Sequence, residues 1–247
     1  MGNSTVLQYA AVPAAGFIAG QACVLVLNAV PAGWLCDYGE EPGAELSGRR
    51  FYPKKHGLIS GCVLAAVFTL LYVNYRADPF TAAVYCLASA VLTAASISDI
   101  KYKIIPDQFS LFTAFLGAAY YIYAAVAHTN PGRLYCPFIG AACGGGLWLL
   151  LALIGKAAYR EDCIGFGDVK LSAAAGFILS FPLVLASFFI TIISAGAVFS
   201  VLLLLKKTDG KSYMPMAPFI CAGFAASLIL SDSISALAAW YISILTA

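Results

Sequence analysis

The sequence predicts an all-α protein, a polytopic membrane bundle of about eight transmembrane helices. Hydrophobic residues make up 62% of the 247 positions and charged residues 11%, more apolar surface than a soluble core of this length can use. The apolar residues fall in stretches of about 20, the length that crosses a hydrocarbon layer, where only a helix satisfies its own backbone N–H and C=O groups. The charges gather in the short intervals between those stretches.

The first apolar stretch, about 6–30, lacks the basic opening of a secretory signal and runs on to Val30, so residues 1–30 are expected to form a retained first transmembrane helix. Residues 31–56, PAGWLCDYGEEPGAELSGRRFYPKKH, mix glycine, proline and both charge signs, and are expected to be a short cytoplasmic loop. Residues 57–247 are expected to be a multi-helix core, with apolar segments at about 57–75, 80–98, 108–127, 136–156, 168–181, 183–205 and 214–230. A last stretch at 233–247 is short for a full crossing. Gly144, Gly145 and Gly146 sit within an apolar helix, where they permit close packing rather than phosphate binding.

Of the fourteen Lys and Arg, all but Arg76 and Arg133 fall on one side of this alternation. The positive-inside bias makes that side cytoplasmic and puts the N-terminus outside. For most of these residues, holding a loop on the cytoplasmic face is role enough. A net charge of +2 with no basic aromatic strand excludes nucleic acid as a partner. The eight cysteines mostly lie in apolar runs and form no CxxC pair. His56 and His128 fall on opposite faces, so no metal and no cofactor are expected.

Two acidic settings stand out. Segment 80–98 is about 28 Å long as a helix and delivers Asp99 to the cytoplasmic rim. It opens the stretch Asp99-Ile100-Lys101-Tyr102-Lys103-Ile104-Ile105-Pro106-Asp107. Pro106 suits the first turn of the next helix, and a carboxylate at Asp107 meets unpaired N–H groups there, which is a sufficient structural reason for it. The second setting is Gly165-Phe166-Gly167-Asp168-Val169-Lys170. Its glycines permit unusual backbone angles and close approach of another segment, and Asp168 sits at a helix start, where capping alone would also explain it. The helix from Asp168 to Phe181 is about 21 Å long. If it reaches the outer face near Pro182, Asp168 lies below the membrane surface in a water-filled recess. Two predicted crossings separate Asp99 from Asp168, so both return to the same face. Two carboxyls that share a site hold one proton between them and activate water without a metal.

These residues resemble the type IV prepilin peptidases, membrane aspartic proteases of the GxGD kind, over roughly residues 57–230. Both motifs match the family patterns D-x-[KR]-x-x-x-[IL]-P-[DN] and G-x-G-D-x-K in order. The resemblance implies cleavage of the basic leader peptide from type IV pilin or pseudopilin precursors, in the lipid bilayer at the cytoplasmic side of the inner membrane. It implies Asp99 and Asp168 as the catalytic pair, with Gly165, Gly167, Lys101, Asp107 and Lys170 supporting. Many bacterial members carry a large insert with paired CxxC motifs after the first helix. Here residues 31–56 take its place with Cys36 as their one cysteine, so the chain resembles the shorter, peptidase-only form and N-methyltransferase activity is not expected. Pro215 and Pro218 resemble a proline-bearing stretch of the family, although helix entry alone explains Pro215.

Within this reading Asp168, at a helix start, is the partner expected to carry the charge, and Asp99, after a helix end, the proton. Asp37, Glu40, Glu41 and Glu45 read first as a solvated acidic loop, with Arg49, Arg50, Lys54 and Lys55 following at once; meeting the basic leader is the alternative for them. The alternative is a small proton-coupled transporter using the same two aspartates.

Overall fold

The computed structural model describes residues 3–36, 43, 50–127, 135–160, 164–207 and 214–246. Asp37, Glu40, Glu41, Glu45, Arg133 and His128 lie outside the described residues. The described chain forms α1 (Asn3–Ala29), α2 (Leu58–Tyr75), α3 (Pro79–Tyr102), α4 (Asp107–Ala127), α5 (Cys136–Tyr159), α6 (Phe166–Leu179), α7 (Leu183–Leu204), α8 (Ala217–Ile229) and α9 (Ser231–Leu245).

The fold is the polytopic helical membrane bundle that the composition predicts. Six helices, α1 to α5 and α7, are long and apolar enough to cross a bilayer, and α8 with α9 would make a seventh span bent by 76°. The count falls below eight because α6 has 14 residues and α8 has 13, roughly 21 and 20 Å against about 30 Å of hydrocarbon. Apolar residues fill the interior: Leu64, Leu71, Leu92, Leu171, Phe224 and Leu228 are almost wholly buried. Large apolar side chains such as Leu111, Phe115, Phe138, Ile193 and Leu204 point outward, as a bilayer-facing surface requires.

With no hydrophobic difference between lipid and side chains to drive association, helices approach through small residues. Gly20 of α1 lies so close to Gly61 of α2 that a Cβ would strike backbone, and Gly140 of α5 meets the backbone of Gly176 of α6 in the same way. Gly144 backs onto the Ser172 carbonyl and Gly145 onto Ala173, as expected of helix-packing glycines, whereas Gly146 faces open space.

Helix α6 runs parallel to α4. Lys170 reaches Asp107, Gly117 abuts Phe177 and Ile178, and the Tyr121 hydroxyl bonds to the Ile178 carbonyl (3.2 Å) and to Ser180. Asp168 is therefore level with the start of α4, and α6 stops beside Tyr121, about 9 Å before α4 ends. The shortfall predicted for this helix falls at the end away from Asp168. Helices enclose Asp168; it does not sit in a recess produced by a short helix.

Arg50 does more than hold a loop. It is buried, its guanidinium bonds to the Val30 carbonyl, and its N–H and that of Phe51 bond to Asn28 Oδ1 at 3.0 and 2.9 Å. Asn28 Nδ2 returns a bond to the Phe51 carbonyl at 3.0 Å, so the end of the 31–56 loop is fixed to α1.

Asp78 caps α3, accepting from Thr81 N–H (3.2 Å), Thr81 Oγ1 (2.7 Å) and the Tyr123 hydroxyl (3.2 Å). Burial works against its charge, but these hydrogen bonds prevail and hold the carboxyl below the ordinary carboxylate range. Asp78→Ala is expected to cost about 1 kcal/mol of stability. Because the folded carboxyl titrates lower than the unfolded one, that difference is fully present above the unfolded value and shrinks as pH falls through the folded one; thermal melting in detergent across acid pH reads it. Gly140→Leu is expected to destabilise by about 1–3 kcal/mol or more, while Gly146→Ala leaves the melting temperature unchanged or raised.

Candidate active site

Asp99 and Asp168 are each only 2% exposed, although they come from distant parts of the chain. Asp99 lies in the last turn of α3. Lys103 closes that helix in the left-handed conformation (φ 57°), and its N–H bonds to the Asp99 carbonyl at 2.8 Å. Ser98 Oγ donates to the Ile104 carbonyl at 2.8 Å and holds the following turn. The Asp99 carboxyl faces inward, where Oδ2 accepts the Ala217 N–H at 2.9 Å, and the Met216 N–H also reaches it. These are free N–H groups at the start of α8, which carries the positive end of its helix dipole.

Asp168 is the third residue of α6. Its N–H bonds to the Gly165 carbonyl at 3.1 Å, and its side chain accepts in turn from the Gly165 N–H, the reciprocal pattern of a helix-start box. Its Oδ1 is buried with no hydrogen-bond partner. The two aspartates are near enough for the charge of Asp99 to act on Asp168. The charge assignment made from the sequence weighed only the helices that carry the two aspartates, and this geometry adds a third helix to the comparison. A helix start does favour a carboxylate, and the start of α8 reaches Asp99.

The supporting residues divide. Gly165 has ordinary extended angles, φ −68° and ψ 141°, so left-handed freedom is not its reason. Gly167 is there for close approach: a Cβ on it would stand 3.2 Å from the Ile105 Cβ. Lys170 turns to Asp107. Its ammonium grips both oxygens of Asp107, at 2.9 and 2.8 Å, which joins the second motif to the first. Lys101 turns the other way, over the rings of Phe51 and Tyr102 at 5.0 and 4.9 Å and onto the Arg50 carbonyl.

Residues 86–201, which contain both aspartates, match the model of the type IV leader peptidase family. This part of the chain is similar to the type IV leader peptidase family. Curated relatives show the same similarity. The chain is 29% identical over 178 residues to "Prepilin leader peptidase/N-methyltransferase" of Bacillus subtilis (strain 168), covering 72% of this chain and 65% of that protein. It is 27% identical over 177 residues to "Type 4 prepilin-like proteins leader peptide-processing enzyme" of Escherichia coli O78:H11 (strain H10407 / ETEC), covering 72% and 62%. A Legionella pneumophila "Prepilin leader peptidase/N-methyltransferase" is 28% identical over 165 residues, covering 63% and 52%. The chain thus spans about half to just under two thirds of the length of these relatives. No solved structure matches it significantly.

Sequence reasoning missed what holds the two aspartates in place. It did not pair Asp107 with Lys170, and it did not bring Met216 and Ala217 to Asp99. The signal for the second was present: Pro218 marks a helix start, and N–H groups at a buried helix start need an acceptor. The Asp107–Lys170 pair is partly exposed, 41% and 32% by side chain. A double-mutant cycle with Asp107→Ala and Lys170→Ala is therefore expected to give a coupling energy of about 0.2–1 kcal/mol in thermal or denaturant melts.

Proposed function

We propose that this protein is a membrane aspartic endopeptidase that removes the basic leader peptide from type IV pilin-like precursors at the cytoplasmic face of the inner membrane. The observation that carries this reading is the meeting of two buried carboxyl groups, Asp99 and Asp168, within electrostatic reach of one another inside a membrane bundle. The leader-peptidase match over both aspartates supports the substrate class. The bias of Lys and Arg toward one side of the predicted alternation supports a cytoplasmic site and an outward N-terminus.

Asp99, held as the carboxylate by the N–H groups at the start of α8, takes a proton from water as that water attacks the scissile carbonyl carbon. Asp168 holds the shared proton on Oδ1 and gives it to the carbonyl oxygen; the tetrahedral intermediate then collapses as Asp99 gives the water-derived proton to the leaving amine and a hydroxyl of the intermediate returns its proton to Asp168. Neither carboxyl is open to bulk water at rest, so a peptide reaches the pair when the segment leading into α8, residues 214–217, moves off Asp99. Residues 31–56 have one cysteine, and the proposal is limited to peptide cleavage. Transport coupled to protons has no comparable support, since the matched relatives are named for leader-peptide processing.

Purified protein incubated with a candidate precursor should release a leader and a product, both identified by mass. Asp99→Asn and Asp168→Asn are each expected to lower the rate by about 100- to 10,000-fold while retaining wild-type helix content by circular dichroism. Cleavage at the wild-type rate by either variant contradicts the proposal.

A further inference from the structure

On the face of α6 turned away from Asp168 there is a cleft of about 540 Å³, within the range of sites that hold discrete ligands. Helices α4 and α5 both pack on α6 but hardly touch one another. The floor of the cleft is therefore α6, with Lys170, Ala173, Ala174 and Phe177, and its walls include Leu111 and Ala114 of α4 and Ala141 of α5. Alanines keep it open, and the neighbouring Leu111 and Phe138 are 73% and 67% exposed, so the cleft faces the hydrocarbon.

Its contents are ordered along the helix axis. At one end is the Asp107–Lys170 pair, one charge of each sign, with Gln108 beside it. About 4.5 Å further along α4 comes Ser110, which lines the cleft, is 7% exposed, and has an Oγ with no hydrogen-bond partner. Beyond it, about 10 Å from Asp107, the lining is apolar, with Ala114 and Phe177. A buried hydroxyl without a partner is costly and calls for an acceptor from elsewhere.

We propose that this cleft is a binding site for one phospholipid with a primary-ammonium zwitterionic headgroup, of the phosphatidylethanolamine type. The phosphate lies against Lys170 and the ammonium against Asp107, each of which keeps part of its surface open beside its partner. An ester carbonyl of the glycerol accepts the Ser110 hydroxyl as that side chain, whose Oγ is buried at rest, rotates into the cleft, and an acyl chain follows the alanines to Phe177. The sequence of charge pair, donor and apolar strip matches such a lipid from headgroup to tail. A transmembrane peptide helix fits less well, because its backbone groups bond internally and leave Ser110 unsatisfied. An anionic lipid would place unpaired negative charge near Asp107. Because Asp107 and Lys170 join the two aspartate-bearing motifs, a lipid bound there braces that junction.

The test is native mass spectrometry of the delipidated full-length chain in detergent, titrated with phosphatidylethanolamine or phosphatidylglycerol, with no precursor present; its outcome is thus independent of whether the protein cleaves leaders. One phosphatidylethanolamine per chain is expected, bound about tenfold more tightly than phosphatidylglycerol. Ala173→Leu and Ala114→Leu fill the cleft and are expected to abolish that binding. Ser110→Ala, which adds no volume, is expected to weaken it about tenfold and keeps the test decisive if a leucine variant fails to fold. Absence of stoichiometric binding, equal affinity for both lipids, or unchanged binding by Ser110→Ala overturns the proposal.

Discussion

An ionisable group inside an apolar helical bundle must find hydrogen-bond partners there, because lipid supplies none, and this requirement organises the molecule around Asp99. The helix of Asp99 ends beside it, so its own carbonyls offer only acceptors. Donors come from the start of α8, more than a hundred residues later in the chain, through the N–H groups of Ala217 and Met216. Helix α8 thus begins where Asp99 needs it, and its own free N–H groups are satisfied by the same contact. Asp168 meets the requirement locally, through Gly165 on one oxygen, and leaves the other bare. That asymmetry between two similar side chains is the basis of the different roles proposed for them.

Positioning the pair falls to contacts that are themselves unreactive. Glycines at 140, 144 and 176 let α5 lie against α6 at backbone distance, and Gly167 lets the 104–106 turn come down on the start of α6. Lys170 then clamps Asp107. The segment after Asp99 and the segment before and after Asp168 are consequently held to each other at two points, one steric and one ionic. At the far side of α3, Asn28, Arg50 and Lys101 tie the end of the long loop to α1 and α3, so the turn that carries Asp99 is fixed from both flanks.

Much of this was legible in the sequence, and the exceptions have physical causes. Composition and segment length yield a membrane bundle because bilayer thickness is a length scale that the chain must match. The two aspartates were legible because polar residues among long apolar runs are conspicuous. The roles of their neighbours were not, since a lysine two residues after an aspartate points to another face of the helix: Lys170 leaves Asp168 for Asp107, and Lys101 leaves Asp99 for Phe51. Helix length predicted that α6 is short without saying which end falls short; only the register against α4 decides that. The charge assignment considered only the helices that contain the aspartates, whereas the N–H groups at the start of α8 also reach Asp99.

The most direct measurement of the central claim is infrared titration of the carboxyl groups in the purified protein. If Asp99 and Asp168 form one coupled site, a single protonated carboxyl band persists near neutral pH, is lost in Asp168→Asn, and shifts its titration in Asp99→Asn. A band of Asp168 that titrates identically with and without the Asp99 carboxyl would show two independent acids and would contradict the account.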